Sequence, residues 1–309
     1  MFILHCSGKE LIMRNLVISI VLGLGIALGC ACGPTSQTNK WTTISSSPNT
    51  AKTSPTVAEK VNMQDGYAAN LPVDFTQPKD EVGRKLLKEY GSVFVAKGGV
   101  TPPSTVVFKD EMEVVAFQKS AASERVLIGG VSVELQATAL KALKEAISEA
   151  GQNNISITPR GTDASKRSYQ DTVGLWESRV NPALAHWSGN GRISAADAQR
   201  IRSLSPYEQV PEVFKLEAQG IYFSKDLSKS IIYSVAPPGS SQHLSMLALD
   251  VTENENSQVR SILAKHGWFQ TVVSDLPHFT FLGVTESELP KLGLKKTVSG
   301  GRNFWVPDL

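Results

Sequence analysis

The apolar and polar positions of this chain fall into three regimes. Leu16 to Gly29 is one uncharged apolar run. Residues 33–62 are dominated by Ser, Thr, Pro, Asn and Lys and carry no apolar periodicity. Such a stretch cannot bury enough surface to offset its ordering entropy, so it reads as a tether. Periodic segments begin at Lys79. Lys79 to Tyr90 predicts a helix ended by Gly91, and Ser92–Ala96, Thr105–Lys109 and Glu113–Phe117 read as strands. Val126–Val133 predicts another strand. Glu134–Ala150 predicts a helix with Leu140, Leu143 and Ile147 on one face, and Gly151 stands where a left-handed cap is expected. Ile155–Thr158 reads as a strand, and Ser165–Trp176 and Ala195–Ser203 as helices. Ile231–Ala236 predicts a strand running into the breaker Pro237-Pro238-Gly239. Met246–Val251 predicts a strand, Val259–His266 a helix closed by Gly267, and His278–Val284 a final strand. Strands and helices mix without regular βαβ alternation, and no repeat is visible. The expected class is α+β, a small antiparallel sheet with flanking helices.

The apolar run follows Met13, Arg14 and Asn15 and is shorter than the roughly 20 residues of a membrane span. A short basic start, an apolar run and a small-residue boundary form the layout of a secretory signal, with Met13 as the expected start. Ala27-Leu28-Gly29-Cys30 resembles a bacterial lipobox, which implies acylation at Cys30. A plain signal peptide cleaved nearby is the alternative. The expected organisation is a signal over 1–30, a tether over 31–65, an N-terminal extension over 66–125 and a catalytic domain over 126–309. The expected location is the bacterial cell envelope, on the periplasmic or extracytoplasmic face. Ala31 is not an inner-membrane retention Asp, which fits the outer membrane where the cell has one.

Composition narrows the chemistry. A formal net charge of +2 leaves no electrostatic footprint for nucleic acid, and no such motif is present. Cys6, Cys30 and Cys32 are the only cysteines. The chain from Gly33 onward therefore holds no disulfide framework, thiolate metal site or cysteine nucleophile. A metal would need His, Asp or Glu. The histidines are His5, His186, His243, His266 and His278. His243 follows the breaker, at the expected start of a strand, and Asp250 ends the same apolar run, where a carboxylate is costly unless paired or metal-bound. Two nitrogens and one carboxylate with an open position form a catalytic zinc set. His243, His278 and Asp250 can supply it, and Asp275 lies close enough to take a proton from the metal-activated water. Spacing alone leaves a packing role open for each of these. His186 reads as a packing or surface residue, His266 as a helix cap, Lys225-Asp226 as a turn, Glu253–Asn256 as a solvated loop, and Phe304-Trp305 as a tail packed on the core.

Two segments, Ser241-x-His243-x(6)-Asp250 and Asp275-Leu276-Pro277-His278-Phe279, resemble the motifs of the D-alanyl-D-alanine metallopeptidases. That family carries Ser-x-His-x(6)-Asp followed by Glu-Pro-Trp-His-Phe. It includes the vancomycin-resistance D,D-carboxypeptidases and shares a fold with lysostaphin-type enzymes and the hedgehog signalling domain. Ala248, the Phe281-Leu282-Gly283 segment and His266-Gly267-Trp268-Phe269 extend the likeness, which covers roughly residues 92–284. The resemblance implies Zn2+ held by His243, Asp250 and His278, with Asp275 as general base. It implies Ser241 and Gln242 at the substrate, and an oxyanion-stabilising arginine. Arg167, in Arg167-Ser168-Tyr169-Gln170, is the favoured arginine, and Arg160 the alternative. Asp275 departs from the family's Glu by one methylene. The implied function is D-alanyl-D-alanine carboxypeptidase action on peptidoglycan stem peptides by a lipid-anchored monomer. The alternatives are an endopeptidase of the same family and a catalytically weak, zinc-bearing cell-wall-binding lipoprotein.

Overall fold

The structure, a computed structural model, describes residues 66–309. The expected signal segment, Met13, Cys30 and the tether lie outside the described residues. No helix among the described residues is long and apolar enough to cross a membrane.

A short helix α1 (Tyr67–Asn70) precedes α2 (Glu81–Tyr90), whose first turn is capped by Asp80 accepting from the Gly83 N–H. Leu86, Leu87 and Tyr90 turn inward. The chain then winds through Gly91–Val95 as a 3-10 turn, all five residues buried, where a strand was expected. A short run buried on every side shows no alternation, so periodicity cannot separate the two. α3 (Glu111–Ser120) replaces the strand expected at Glu113–Phe117. Asp110 accepts from the Glu113 N–H, and Glu111 and Glu113 occupy the first turn, so capping and the helix dipole outweigh the β-branched Val114-Val115 pair.

β1 (Ser123–Ile128) and β2 (Val131–Gln136) form an antiparallel hairpin where one strand over 126–133 was expected. The turn is Gly129-Gly130, both at positive φ, a pairing that suits a two-residue hairpin loop. The boundary drawn at 125/126 thus falls inside β1. α4 (Ala137–Gln152) runs through Gly151, and the left-handed residue beyond it is Asn154. Residues 155–158 form no strand. Only an isolated bridge, Pro159 to Val251, is present there.

α5 (Tyr169–Gly189) begins at a capping box of Ser168 and Asp171, later and longer than the expected helix over 165–176. α6 (Ala195–Ser203) has the expected bounds, capped by Ser194. α7 (Gln209–Glu217) was not expected. These helices close a core of their own around Trp176, Leu184, Ile201 and Phe223. The expected strand at Ile231–Ala236 is a 3-10 turn over Ile231–Tyr233, whose Ile231 N–H donates to the Glu217 carboxylate.

The central sheet is β3 (Ala248–Asp250), β4 (Trp268–Phe269) and β5 (His278–Phe281), ordered β3-β5-β4 and antiparallel throughout. α8 (Ser257–Lys265) connects β3 to β4, and Gly267 at φ 78° reverses the chain after it. A C-terminal hairpin, β6 (Leu294–Ser299) and β7 (Arg302–Pro307), was not expected, although its Phe304 and Trp305 are buried as the tail reading anticipated. α2, α4, α8 and the sheet share the larger core. Helices and small antiparallel sheets in this mixture make the fold α+β.

Candidate metal centre

Pro237-Pro238-Gly239 sets the approach to the site. Gly239 sits at φ 76°, and a Cβ there would lie 1.9 Å from the Phe108 carbonyl oxygen. The Phe108 N–H donates to the Gly239 carbonyl at 2.9 Å, which locks the loop against the segment before α3. The chain then makes a 3-10 turn over Gln242–Ser245, ended by Met246 in the left-handed region, and enters β3. His243 therefore stands on a buried 3-10 turn and not at the start of a strand. Asp250 and His278 are direct partners across β3 and β5, which puts both side chains on one face of the sheet.

His243, Asp250 and His278 converge, each offering one donor atom within 4.8 Å of the others. Hydrogen bonds assign the ring nitrogens. His243 Nδ1 lies 2.6 Å from the Ser165 carbonyl oxygen, so Nδ1 carries the proton. Its Nε2 then presents a lone pair, and this buried atom has no hydrogen-bond partner. Gln242 Nε2 donates to the Tyr90 carbonyl at 2.8 Å, which turns Oε1 toward His278. Oε1 accepts from His278 Nε2 at 2.8 Å and from the Thr280 hydroxyl. His278, in its neutral form, therefore presents its Nδ1 lone pair. Both lone pairs face Asp250 Oδ1, each at 3.3 Å.

Three electron-rich atoms aimed at one another repel unless a cation lies among them. Zinc bonds of ~2.0–2.2 Å at tetrahedral angles separate neighbouring donors by roughly 3.3–3.5 Å, which is the spacing from Asp250 Oδ1 to each histidine nitrogen. Burial pulls the His243 imidazolium down, partly countered by Asp250, so the ring is neutral and free to coordinate. Burial pushes the Asp250 carboxyl up, but positive charge placed against it by protonated imidazoles outweighs burial and holds the acid well below the usual carboxylate range; with both rings neutral, a metal cation among the donors would supply that charge. The residues present fit a divalent, nitrogen-accepting metal such as zinc.

Arg167 joins the cluster. Its Nη2 donates to Asp250 Oδ2 at 3.1 Å and also pairs with Asp163, and its backbone N–H donates to the His243 carbonyl. Its Nη1 makes no hydrogen bond among the described residues. Arg160 donates its backbone N–H to the Asp250 carbonyl at 2.8 Å, while its side chain is exposed and makes no contact with the cluster. A cleft of about 220 Å³ opens onto His243 and His278 and is walled by Arg167, Ser241, Asp275 and one face of α5. Asp275 is exposed on this wall, its carboxylate unpaired among the described residues. Ser241 lies in the wall, and its hydroxyl makes no hydrogen bond among the described residues. Gln242, expected to touch substrate, lines the cleft, and its polar atoms bond Tyr90, His278 and Thr280, which makes it a positioning group for His278. His266 pairs with Glu149 at 2.9 Å and His186 bonds Asn190, both away from the cluster.

Three groups at the site escaped the sequence reading. Tyr90 supplies the carbonyl that aligns Gln242. Glu89, beside Ser274, has its carboxyl pushed above the usual range by burial. Arg179 lines the cleft from α5. None lies in a short motif, and Tyr90 is 152 residues from the glutamine it aligns.

Fold and site together define an α+β protein with a buried His-Asp-His cluster suited to a metal. No family model matches the chain, and neither does any curated protein. A solved structure that does match is the vancomycin-resistance D,D-pentapeptidase VanY from a VanB-type resistance cassette, a glutamate-to-alanine mutant in complex with Zn(II). The identity is 15%, over 53% of this chain and 79% of that one, with a TM-score of 0.28. The overlap is slight, and the reading of the site rests on its own geometry.

Proposed function

We propose that this chain is a zinc-dependent peptidase of the bacterial cell envelope, a carboxypeptidase that removes the terminal D-alanine of peptidoglycan stem peptides. The observation that carries the metal is the convergence of three lone pairs, two of them fixed by tautomer, on one buried point. The peptidase assignment draws on what surrounds that point: a cleft, an exposed carboxylate and an arginine with a spare donor. The D-Ala-D-Ala substrate rests on the resemblance of the two motifs. Lipidation at Cys30 would tether the enzyme to a membrane beside that substrate.

Zinc, when bound, supplies Lewis acidity and makes a water easier to deprotonate. The chain's own groups do the rest. Asp275 takes the proton of the attacking water and delivers it to the departing amine. Arg167 holds Asp250 through Nη2 and offers Nη1 to the charge developing on the scissile carbonyl oxygen. Ser241 supplies a hydroxyl to the peptide backbone.

Metal content and D-alanine release test this reading together, in the wild-type protein and in His243→Ala. About one zinc per chain, lost in the variant, is expected, with D-alanine released only by the wild type. Zinc without release would sink the peptidase assignment and keep the metal site. No zinc after incubation with excess metal would sink both.

A further inference from the structure

We propose that Arg179 binds the free C-terminal carboxylate of the peptide, and so makes the site select chain ends over internal bonds. The inference deepens the function proposed above and rests on that reading for the bond that is cut, though the binding itself does not require cleavage.

α5 presents Thr172, Leu175 and Arg179 to the cleft at spacings of three and four, which is one face of a helix. Two cations line this cleft, Arg167 and Arg179. The charge of Arg167 is met by Asp250 and Asp163. Arg179 has no such partner. Its Nε donates to the Ser234 hydroxyl at 2.9 Å and its Nη1 to the Ser178 hydroxyl at 2.8 Å. Among the described residues it forms no ion pair, and Asp275, across the same cleft, does not come within pairing distance. Hydroxyls position a guanidinium without neutralising it. A half-buried arginine held in this way keeps Nη2 and its full charge for an anion from outside, and a carboxylate matches the fork of its donors.

Size and lining point to a chain end. The cleft holds about 220 Å³, below the ~300–1,000 Å³ of pockets that enclose larger ligands. Val235, Ala236 and Val272 line it beside Arg179, a surface suited to small apolar side chains.

The test is equilibrium binding to the zinc-loaded, full-length protein, with Asp275→Asn present throughout to suppress turnover. The probes are a peptide ending in D-Ala-D-Ala with a free carboxylate, its C-terminal amide, and the same pair in the L configuration. The acid should bind at least ~10-fold more tightly than the amide. Arg179→Met should abolish that preference with zinc content unchanged, and Arg179→Lys should restore part of it. A preference that survives Arg179→Met, or equal binding of acid and amide, including no binding of either, overturns the proposal. An Arg179-dependent preference for acids, found in a wild-type protein that cleaves none of the peptides, refutes the proposed function alone.

Discussion

Gln242→Leu isolates the part of the centre that lies outside the metal ligands. The substitution removes the acceptor for His278 Nε2 and the donor to the Tyr90 carbonyl, both bonded at 2.8 Å inside the core. Thr271 and Thr280 also lose an acceptor, but their hydroxyls are bonded to each other at 2.7 Å, so one of the two stays served. Three buried groups are left without partners, each costing ~1–3 kcal/mol. The sum is ~3–9 kcal/mol before relaxation recovers part of it, and a destabilisation of about 3 kcal/mol is expected. The larger consequence is for zinc. Without Gln242 the His278 ring is free to change tautomer and rotate, and loss of such an orienting partner weakens metal binding by ~10–100-fold, or about 1.4–2.8 kcal/mol. Gln242→Glu keeps the acceptor for His278 but turns a carboxylate oxygen toward the Tyr90 carbonyl, so it should hold zinc more tightly than Gln242→Leu. Competition with a chromophoric chelator measures both. A folded Gln242→Leu protein that binds zinc within twofold of the wild type would refute the orienting role.

Asp275→Asn should lower D-alanine release by ~10²–10⁴-fold with zinc content unchanged; unaltered release would remove Asp275 from the mechanism. Gly239→Ala forces a Cβ onto the Phe108 carbonyl at positive φ. It should cost more than the ~1–2 kcal/mol of the backbone conformation alone, read as a fall in the denaturant midpoint, and an unchanged midpoint would show that the loop can yield. Glu217 is pushed above its ordinary range by burial, only partly offset by donors from Ser230 and Ile231. The folded protein therefore holds the Glu217 proton more tightly than the unfolded chain, and stability is lost as pH rises from the ordinary glutamate value through the folded one. Glu217→Gln should remove that loss, so the variant gains on the wild type as pH increases. Parallel melting curves between about pH 4 and 8 would show that Glu217 does not titrate this way.

Asp250 stood out in the sequence as a carboxylate in an apolar run, preceded by a histidine after a breaker, but that pattern left a packing role open, and it was the resemblance of the two motifs that joined His278 to them. α6 was read at its observed bounds, which a Ser194 cap fixes at the N-terminal end. The 3-10 turns at Gly91–Val95, Ile231–Tyr233 and Gln242–Ser245 were read as strands or strand starts, because a short buried run has no polar face to set a period. Gln242 was placed at the substrate by the resemblance of its motif, and its bonds to Tyr90 and His278 were not visible there because both partners lie outside that motif. Arg179 lies on a helix face whose role depends on Ser234 and the loop after it, contacts far along the chain that no local pattern carries.

The two histidines offer opposite ring nitrogens, Nε2 from His243 and Nδ1 from His278, with their rings crossed at 77°. The consequence is a difference in what can stand in for each. The amide oxygen of asparagine reaches about as far as a histidine Nδ1, and that of glutamine about as far as Nε2. His278→Asn and His243→Gln are therefore near-isosteres of the coordinating halves of those rings, while the reverse pair, His278→Gln and His243→Asn, misplaces the oxygen. A library of amide replacements at these two positions should tolerate one combination and reject its mirror.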